Sequence, residues 1–225
     1  IYGGGVGEWL VKHPSIKAVG FTGSLKGGNA LCKMAAERSQ PIPVFAEMSS
    51  INPVIILPEA LKARGETIAS ELAGSVTLGC GQFCTNPGLI IGVQSAGFTA
   101  FLERFTAQMK RQPAQTMLNV GALASYGKGL QHLLAHSGVK QLAGSPQQGR
   151  QAQPHLFKAD VSLLLERDEL LQEEVFGPAT IVIEAADDAQ LGAALDGLRG
   201  QLTATVSGEA DELLRYRWVT ELLQE

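Results

Sequence analysis

Ile16-Lys17-Ala18-Val19-Gly20-Phe21-Thr22-Gly23-Ser24 reads as a strand that turns directly into the start of a helix. Residues 16–21 mix β-branched and aromatic side chains, as strands do. Ser24 is a good N-cap for a helix running to about residue 39. Ala30, Leu31, Met34 and Ala35 fall on one apolar face of that helix. Pro43-Val44-Phe45-Ala46-Glu47 is a second short strand. Strand, helix and strand in that order predict one parallel crossover unit.

The same alternation extends outward. Residues 6–13 suit a helix that Pro14 ends. Residues 54–57 read as a buried strand, and residues 66–78 as an amphipathic helix. A strand over 89–93 is followed by helices over 98–111 and 123–137. Residues 139–142 suit a short strand, 143–153 a surface loop, and 155–157 and 161–165 extended segments. Strands over 178–184 and 202–206 flank a helix over 189–198, and a last helix begins at Glu209. The fold class is therefore α/β with a mostly parallel sheet.

Composition narrows the functional classes. The 225 residues are 45% hydrophobic, with a mean hydropathy of +0.08, so the chain can bury a sizeable core. Its net charge is −4, which argues against nucleic acid as a partner, because phosphate binding needs clustered cations. No apolar run approaches the roughly 20 residues that span a bilayer, and no secretory leader is visible. The three cysteines, Cys32, Cys80 and Cys84, are too few for a disulfide framework and fit a reducing, cytoplasmic setting. His132 and His136 stand at helical spacing but lack the intervening glutamate of a metalloprotease helix, so they read as ordinary helix residues and no metal is expected. Both termini read as cuts: the chain opens at Ile1 without methionine and closes at Gln224-Glu225 inside a helix pattern.

Four segments carry chemistry. Gly81-Gln82-Phe83-Cys84-Thr85-Asn86-Pro87-Gly88 sets a cysteine among small, turn-forming residues. A thiol is a useful nucleophile only as thiolate, and backbone dipoles can lower its pKa; an isolated cysteine would more often be structural. Cys80 is expected in the wall near Cys84, and Cys32 packed on its helix. Glu47, followed by Met48-Ser49-Ser50, ends an apolar strand. Burial there would suit it to general-base work, while exposure would leave a solvated strand end. Gly23 and Ser24 open a helix, where amides can meet a phosphate or simply be capped. Glu174 and Phe176, in Glu173-Glu174-Val175-Phe176-Gly177-Pro178, could hold a ribose and border a nicotinamide, or form a turn before a strand. The run Gly3-Gly4-Gly5-Val6-Gly7 lacks a preceding strand and is no dinucleotide fingerprint; it reads as a loop opening a helix.

Taken together, these four segments resemble the aldehyde dehydrogenase superfamily over essentially the whole chain. The family's Glu-Leu-Gly-Gly is here Glu47-Met48-Ser49-Ser50, which looks like the branch of α-ketoglutaric semialdehyde (2,5-dioxovalerate) dehydrogenases and some NADP-linked fatty aldehyde dehydrogenases. The resemblance implies a three-layer α/β/α catalytic domain over residues 47–225, truncated at its C-terminus, preceded by the last part of a Rossmann-like cofactor domain over 1–46. It implies a cytoplasmic homo-oligomer that takes a small aldehyde and uses NADP or NAD. Cys84 is then the nucleophile, and Glu47 the base that activates water against the thioester. Gly23 and Ser24 would contact the pyrophosphate, Glu174 the nicotinamide ribose, and Phe176 the cofactor wall. The family's adenosine-binding lysine segment and its oxyanion asparagine have no counterpart before Cys84, so the chain by itself is expected to be nearly inactive. Two readings of other classes stay open: a cysteine-dependent acyl transferase or hydrolase, which would need a histidine near Cys84, and a non-catalytic, self-associating module.

Overall fold

The computed structural model describes residues 4–224, so Gly3, the first of the glycine run, lies outside the described residues. The chain forms two compact units, Ile1–Ser49 and Ser50–Glu225. In the first, helix α1 (Gly4–Lys12) stops before Pro14 and is followed by strand β1 (Val19–Thr22), helix α2 (Leu25–Ala36) and strand β2 (Val44–Glu47). The glycines after Gly3 therefore start the helix itself rather than a loop. β1 and β2 pair in parallel from Val19 opposite Val44 to Thr22 opposite Glu47, with α2 as the crossover. Ser24 caps α2 by accepting from the Gly27 amide at 3.2 Å. Along α2, Ala35 is buried and Leu31 and Met34 half-buried; Ala30, expected on that face, is exposed.

The second unit is built on a six-stranded sheet. In chain order its elements begin with β3 (Val54–Ile56), α3 (Pro58–Thr77), β4 (Leu89–Val93), α4 (Ala96–Arg111), β5 (Gln115–Thr116), α5 (Val120–Ala135) and β6 (Val139–Ala143). There follow β7 (Gln151–Ala152), β8 (His155–Ala159), α6 (Ser162–Leu165), α7 (Glu169–Gln172) and β9 (Ala179–Ala185). The last are α8 (Asp188–Asp196), β10 (Thr205–Ser207), α9 (Ala210–Arg215) and α10 (Arg217–Leu222). The strand order is β10-β3-β4-β9-β8-β6, parallel throughout except for the antiparallel edge strand β6.

Side chains alternate between the sheet's two faces, as a strand's period of two demands. Val54, Ile56, Ile90, Leu156 and Val182 pack with α3 and α4 on one side. Ile55, Leu89, Ile91, Phe157, Ile181 and Ile183 pack with α5 and α8 on the other. Because both faces are covered, the central strands read as continuous apolar runs. The result is three layers, α/β/α.

The strand expected over 202–206 is found at 205–207, the loop expected over 143–153 ends in β7, and three further segments depart from expectation. Helix α3 starts at Pro58 rather than near Glu66: Pro58 fits the first turn, where its missing amide goes unneeded, and the helix runs on through a kink at Arg64 (φ −144°, ψ 26°). Val161-Ser162-Leu163-Leu164-Leu165, expected to be extended, folds as the turn and short helix α6, with the Leu163 and Leu164 amides donating to the Asp160 and Val161 carbonyls. Its apolar run reflects burial of Leu163 and Leu164, not a strand period. The final helix breaks at Tyr216 into α9 and α10.

Candidate active site

The nucleophile loop begins where α3 ends. Gly79, Cys80 and Gly81 all adopt left-handed backbone, with φ of +54°, +62° and +63°. Such a conformation is easy for glycine and disfavoured for cysteine. Gln115 holds the strained residue: its Oε1 accepts from the Cys80 amide at 3.1 Å, and its Nε2 donates to the Thr77 carbonyl at 3.0 Å. Gly81 has no room for a side chain, since a Cβ there would lie 2.3 Å from the Gly177 carbonyl and 2.5 Å from Pro178 N. This turn reverses the chain into a surface turn at Phe83–Asn86, closed by the Asn86 amide on the Phe83 carbonyl at 3.1 Å. Cys84 sits on it, exposed. Cys80 is buried, which pushes its thiol pKa up. Cys32 lies half-buried on α2.

The Glu173–Pro178 segment meets this loop. Asn86 Nδ2 donates to the Gly177 carbonyl at 3.2 Å. Glu174 and Phe176 line the same cavity as Gly81, Asn86 and Thr180. Two buried oxygens on its wall, Asn86 Oδ1 and Thr180 Oγ1, have no hydrogen-bond partner among the described residues. Glu174 is half-buried, and Phe176 shows its ring to solvent.

In the first unit, Gly23, Ser24 and Glu47 come together at the C-terminal ends of β1 and β2. The Gly23 amide donates to the Glu47 carbonyl at 3.1 Å, leaving the Glu47 side chain exposed at the strand end. Within its own unit the carboxylate therefore stands as a solvated strand end, one of the two settings the sequence left open. Ser49 Oγ accepts from the Leu25 amide at 3.2 Å, so two first-turn amides of α2 are held by serine hydroxyls. Ser50, in the second unit, turns inward and accepts from the Leu202 amide at 2.9 Å. The two hydroxyls that replace glycines thus serve the backbone.

Of the four histidines, His13 lies in the first unit and accepts from the Ser15 amide at 3.2 Å. His132 is exposed on α5. His136 follows that helix and takes the Gly138 amide at 3.1 Å. His155 is buried beside Tyr126, its Nδ1 2.9 Å from the Gln153 carbonyl and 3.2 Å from the Tyr126 hydroxyl. Asn52, Gln115, Gln201 and Thr203 were not singled out by sequence reasoning. Only Asn52 carried a signal, an asparagine before proline, where left-handed backbone and turns are common.

The profile of the aldehyde dehydrogenase family matches residues 1–218, and the chain belongs to that family. It is 50% identical over 225 residues to an alpha-ketoglutaric semialdehyde dehydrogenase of Acinetobacter baylyi, covering 99% of this chain and 43% of that protein. It is 41% identical over 209 residues to alpha-ketoglutaric semialdehyde dehydrogenase 2 of Azospirillum brasilense, covering 92% of this chain and 40% of that one. Among solved structures, an NAD-dependent benzaldehyde dehydrogenase from Corynebacterium glutamicum superposes with a TM-score of 0.80 at 23% identity, over 98% of this chain and 48% of the other. That likeness concerns the fold. The chain spans less than half the length of these relatives. Among the described residues no helix is long and apolar enough to cross a membrane.

Proposed function

We propose that the protein oxidises an aldehyde to a carboxylic acid through a thioester on Cys84, with α-ketoglutaric semialdehyde as substrate and 2-oxoglutarate as product. The observation that carries this reading is Cys84 itself: a solvent-exposed cysteine on a turn whose approach is built from three left-handed residues, in a chain half identical to an alpha-ketoglutaric semialdehyde dehydrogenase. Strained backbone held by its surroundings is a recurrent feature of reactive sites.

The residues divide the work as follows. The Cys84 thiolate adds to the aldehyde carbonyl to give a hemithioacetal. NADP or NAD, when bound, supplies the hydride acceptor that takes this adduct to the thioester. Glu47 takes a proton from the water that attacks the thioester, and Cys84 leaves as thiolate. The groups present suit a dinucleotide. The positive end of the α2 dipole, the hydroxyls of Ser24 and Ser49, and Lys26 in the first turn suit a pyrophosphate beside Gly23. Glu174, half-buried, and Phe176, exposed, lie in the segment that meets the Cys84 loop, where a carboxylate and an aromatic ring suit a ribose and a nicotinamide. In this reading residues 1–46 close the cofactor domain, residues 47–225 belong to the catalytic domain, and the whole protein is a cytoplasmic homo-oligomer.

The test uses the whole protein. Cys84→Ser is expected to lower aldehyde-dependent NAD(P)H formation ~10³-fold or more. Glu47→Gln should retain a first-turnover burst of NAD(P)H while steady-state turnover falls ~10²-fold or more. Full turnover in the Cys84 variant would sink the reading.

A further inference from the structure

Asn52 takes no part in the reaction above, yet it grips the nucleophile loop directly. It stands just before Pro53 at the entrance to β3, 3% exposed, with a φ of +44°. Among residues with a side chain, asparagine is one of the few that tolerates this left-handed backbone. Every hydrogen-bonding position of its side-chain amide is filled. Nδ2 donates to the carbonyls of Cys84 and Asn86, both at 2.9 Å. Oδ1 accepts from Ser50 Oγ and Thr203 Oγ1, both at 2.9 Å. Behind this hub, Gln201 Oε1 accepts from the Ile51 amide at 2.6 Å, and Ser50 Oγ lies 3.1 Å from it. The turn that bears Cys84 is thereby tied to residues 50–52 and to residues 201–203 ahead of β10.

We infer that Asn52 is the positioning residue of the nucleophile: by drawing the carbonyls of Cys84 and Asn86 inward, it sets the turn so that the thiol is presented, and kept reactive, at the surface. The inference rests on reading Cys84 as the nucleophile. A carbonyl oxygen is the negative end of the peptide dipole, and one turned towards the sulfur would disfavour the thiolate. Asn52 commits two such oxygens to the interior while the Cys84 side chain remains exposed. The 84–85 peptide is trans, so fixing the Cys84 carbonyl inward also points the Thr85 N–H away from Asn52. An asparagine that only braced β3 would affect stability and leave the chemistry of Cys84 alone.

Asn52→Asp keeps size and backbone tolerance but replaces a double donor with an acceptor. Because it also adds a negative charge that by itself disfavours a thiolate nearby, a slowed Cys84 counts for the inference only when the uncharged Thr203→Val slows it too. Thr203→Val removes one donor to Oδ1 and leaves the grip on Cys84 weakened rather than lost. Each protein is alkylated with iodoacetamide at graded pH, every cysteine is followed by mass spectrometry, and Cys32 serves as the internal reference. In the unsubstituted protein Cys84 should react faster than Cys32. In Asn52→Asp the Cys84 rate near neutral pH should fall about tenfold relative to Cys32, with the midpoint of its pH profile raised by about one unit; in Thr203→Val the fall should be about two- to threefold. An unchanged Cys84 profile in folded Asn52→Asp, even with a lowered Tm, overturns the inference and leaves the nucleophile reading standing. Cys84 no faster than Cys32 in the unsubstituted protein overturns both. Should Asn52→Asp not fold, Thr203→Val decides: a slowed Cys84 supports the inference and an unaltered one defeats it.

Discussion

Two glycines flank Cys80, and their surroundings separate them. At Gly79 an added Cβ would meet the Phe83 ring at 2.6 Å, the far part of a side chain that can swing away. At Gly81 it would meet the backbone of Gly177 and Pro178, which cannot. Both positions also impose a left-handed φ on any replacement. Gly81→Ala should therefore destabilise the protein by about 3–5 kcal/mol, and Gly79→Ala by only about 1–2 kcal/mol. Urea unfolding of the two variants checks the ranking, and equal losses would refute the packing argument. Cys84 was legible from sequence as a candidate nucleophile because the octapeptide around it resembles the aldehyde dehydrogenase motif; its composition alone would have allowed a structural cysteine. The reason Gly81 must be glycine was not legible, since its contact lies near residue 177 in the chain.

Elements depend on each other in ways local propensity does not reveal. Helix α3 has no side-chain cap of its own, for Leu57 stands at its N-cap. Its first free amides are met from α9: Glu212, 1% exposed, accepts from the Glu59 amide at 2.6 Å and the Ala60 amide at 3.1 Å. The same carboxylate accepts from the Glu209 amide at 3.2 Å at the start of its own helix. One acid thus closes two helix starts, and the positive end of the α3 dipole favours it there. Glu212→Ala would leave buried amides unsatisfied, so a loss of about 2–4 kcal/mol is expected, lowering Tm by roughly 10 °C. Glu212→Gln should lose less, because a neutral amide still accepts. Differential scanning calorimetry checks both; a Glu212→Ala Tm within a degree of the parent would refute the capping role. Sequence patterning placed α3 too late for the same reason: its first turn is stabilised by a distant residue rather than by a local cap.

For the molecule as a whole, His155 ties global stability to pH. Burial between the Tyr126 and Phe157 rings lowers its pKa below the ordinary 6.5, against a smaller opposing contribution from the Gln153 carbonyl. Above 6.5 the ring is neutral in both folded and unfolded chains, and its contribution is fully present. As pH falls from 6.5 towards the lowered folded value, the unfolded chain takes the proton more readily and stability drains away. The decline from this one group is at most about 1.4 kcal/mol per pH unit. Urea midpoints at pH 7.5 and 5.5 should show the loss, and His155→Gln should reduce it. A pH dependence identical in the variant would show that other groups carry the effect.

The sequence by itself determined the α/β class, the parallel crossover of β1, α2 and β2, and the central strands, because alternation of elements and continuous apolar runs are local properties of the chain. It also offered Cys84, Glu47, Gly23, Ser24, Glu174 and Phe176 as candidates, since each sits in a short segment that resembles a motif of the family. Only the tertiary structure decided what surrounds them. It joined the Gly81 turn to Gly177, set Asn52 beneath the carbonyls of Cys84 and Asn86, and turned Ser50 inward and Ser49 to the start of α2. It also made α6 of a run that looked like a strand. These outcomes depend on pairings between residues far apart in the chain, where hydrogen-bond satisfaction and close packing are settled by the fold rather than by neighbours in sequence.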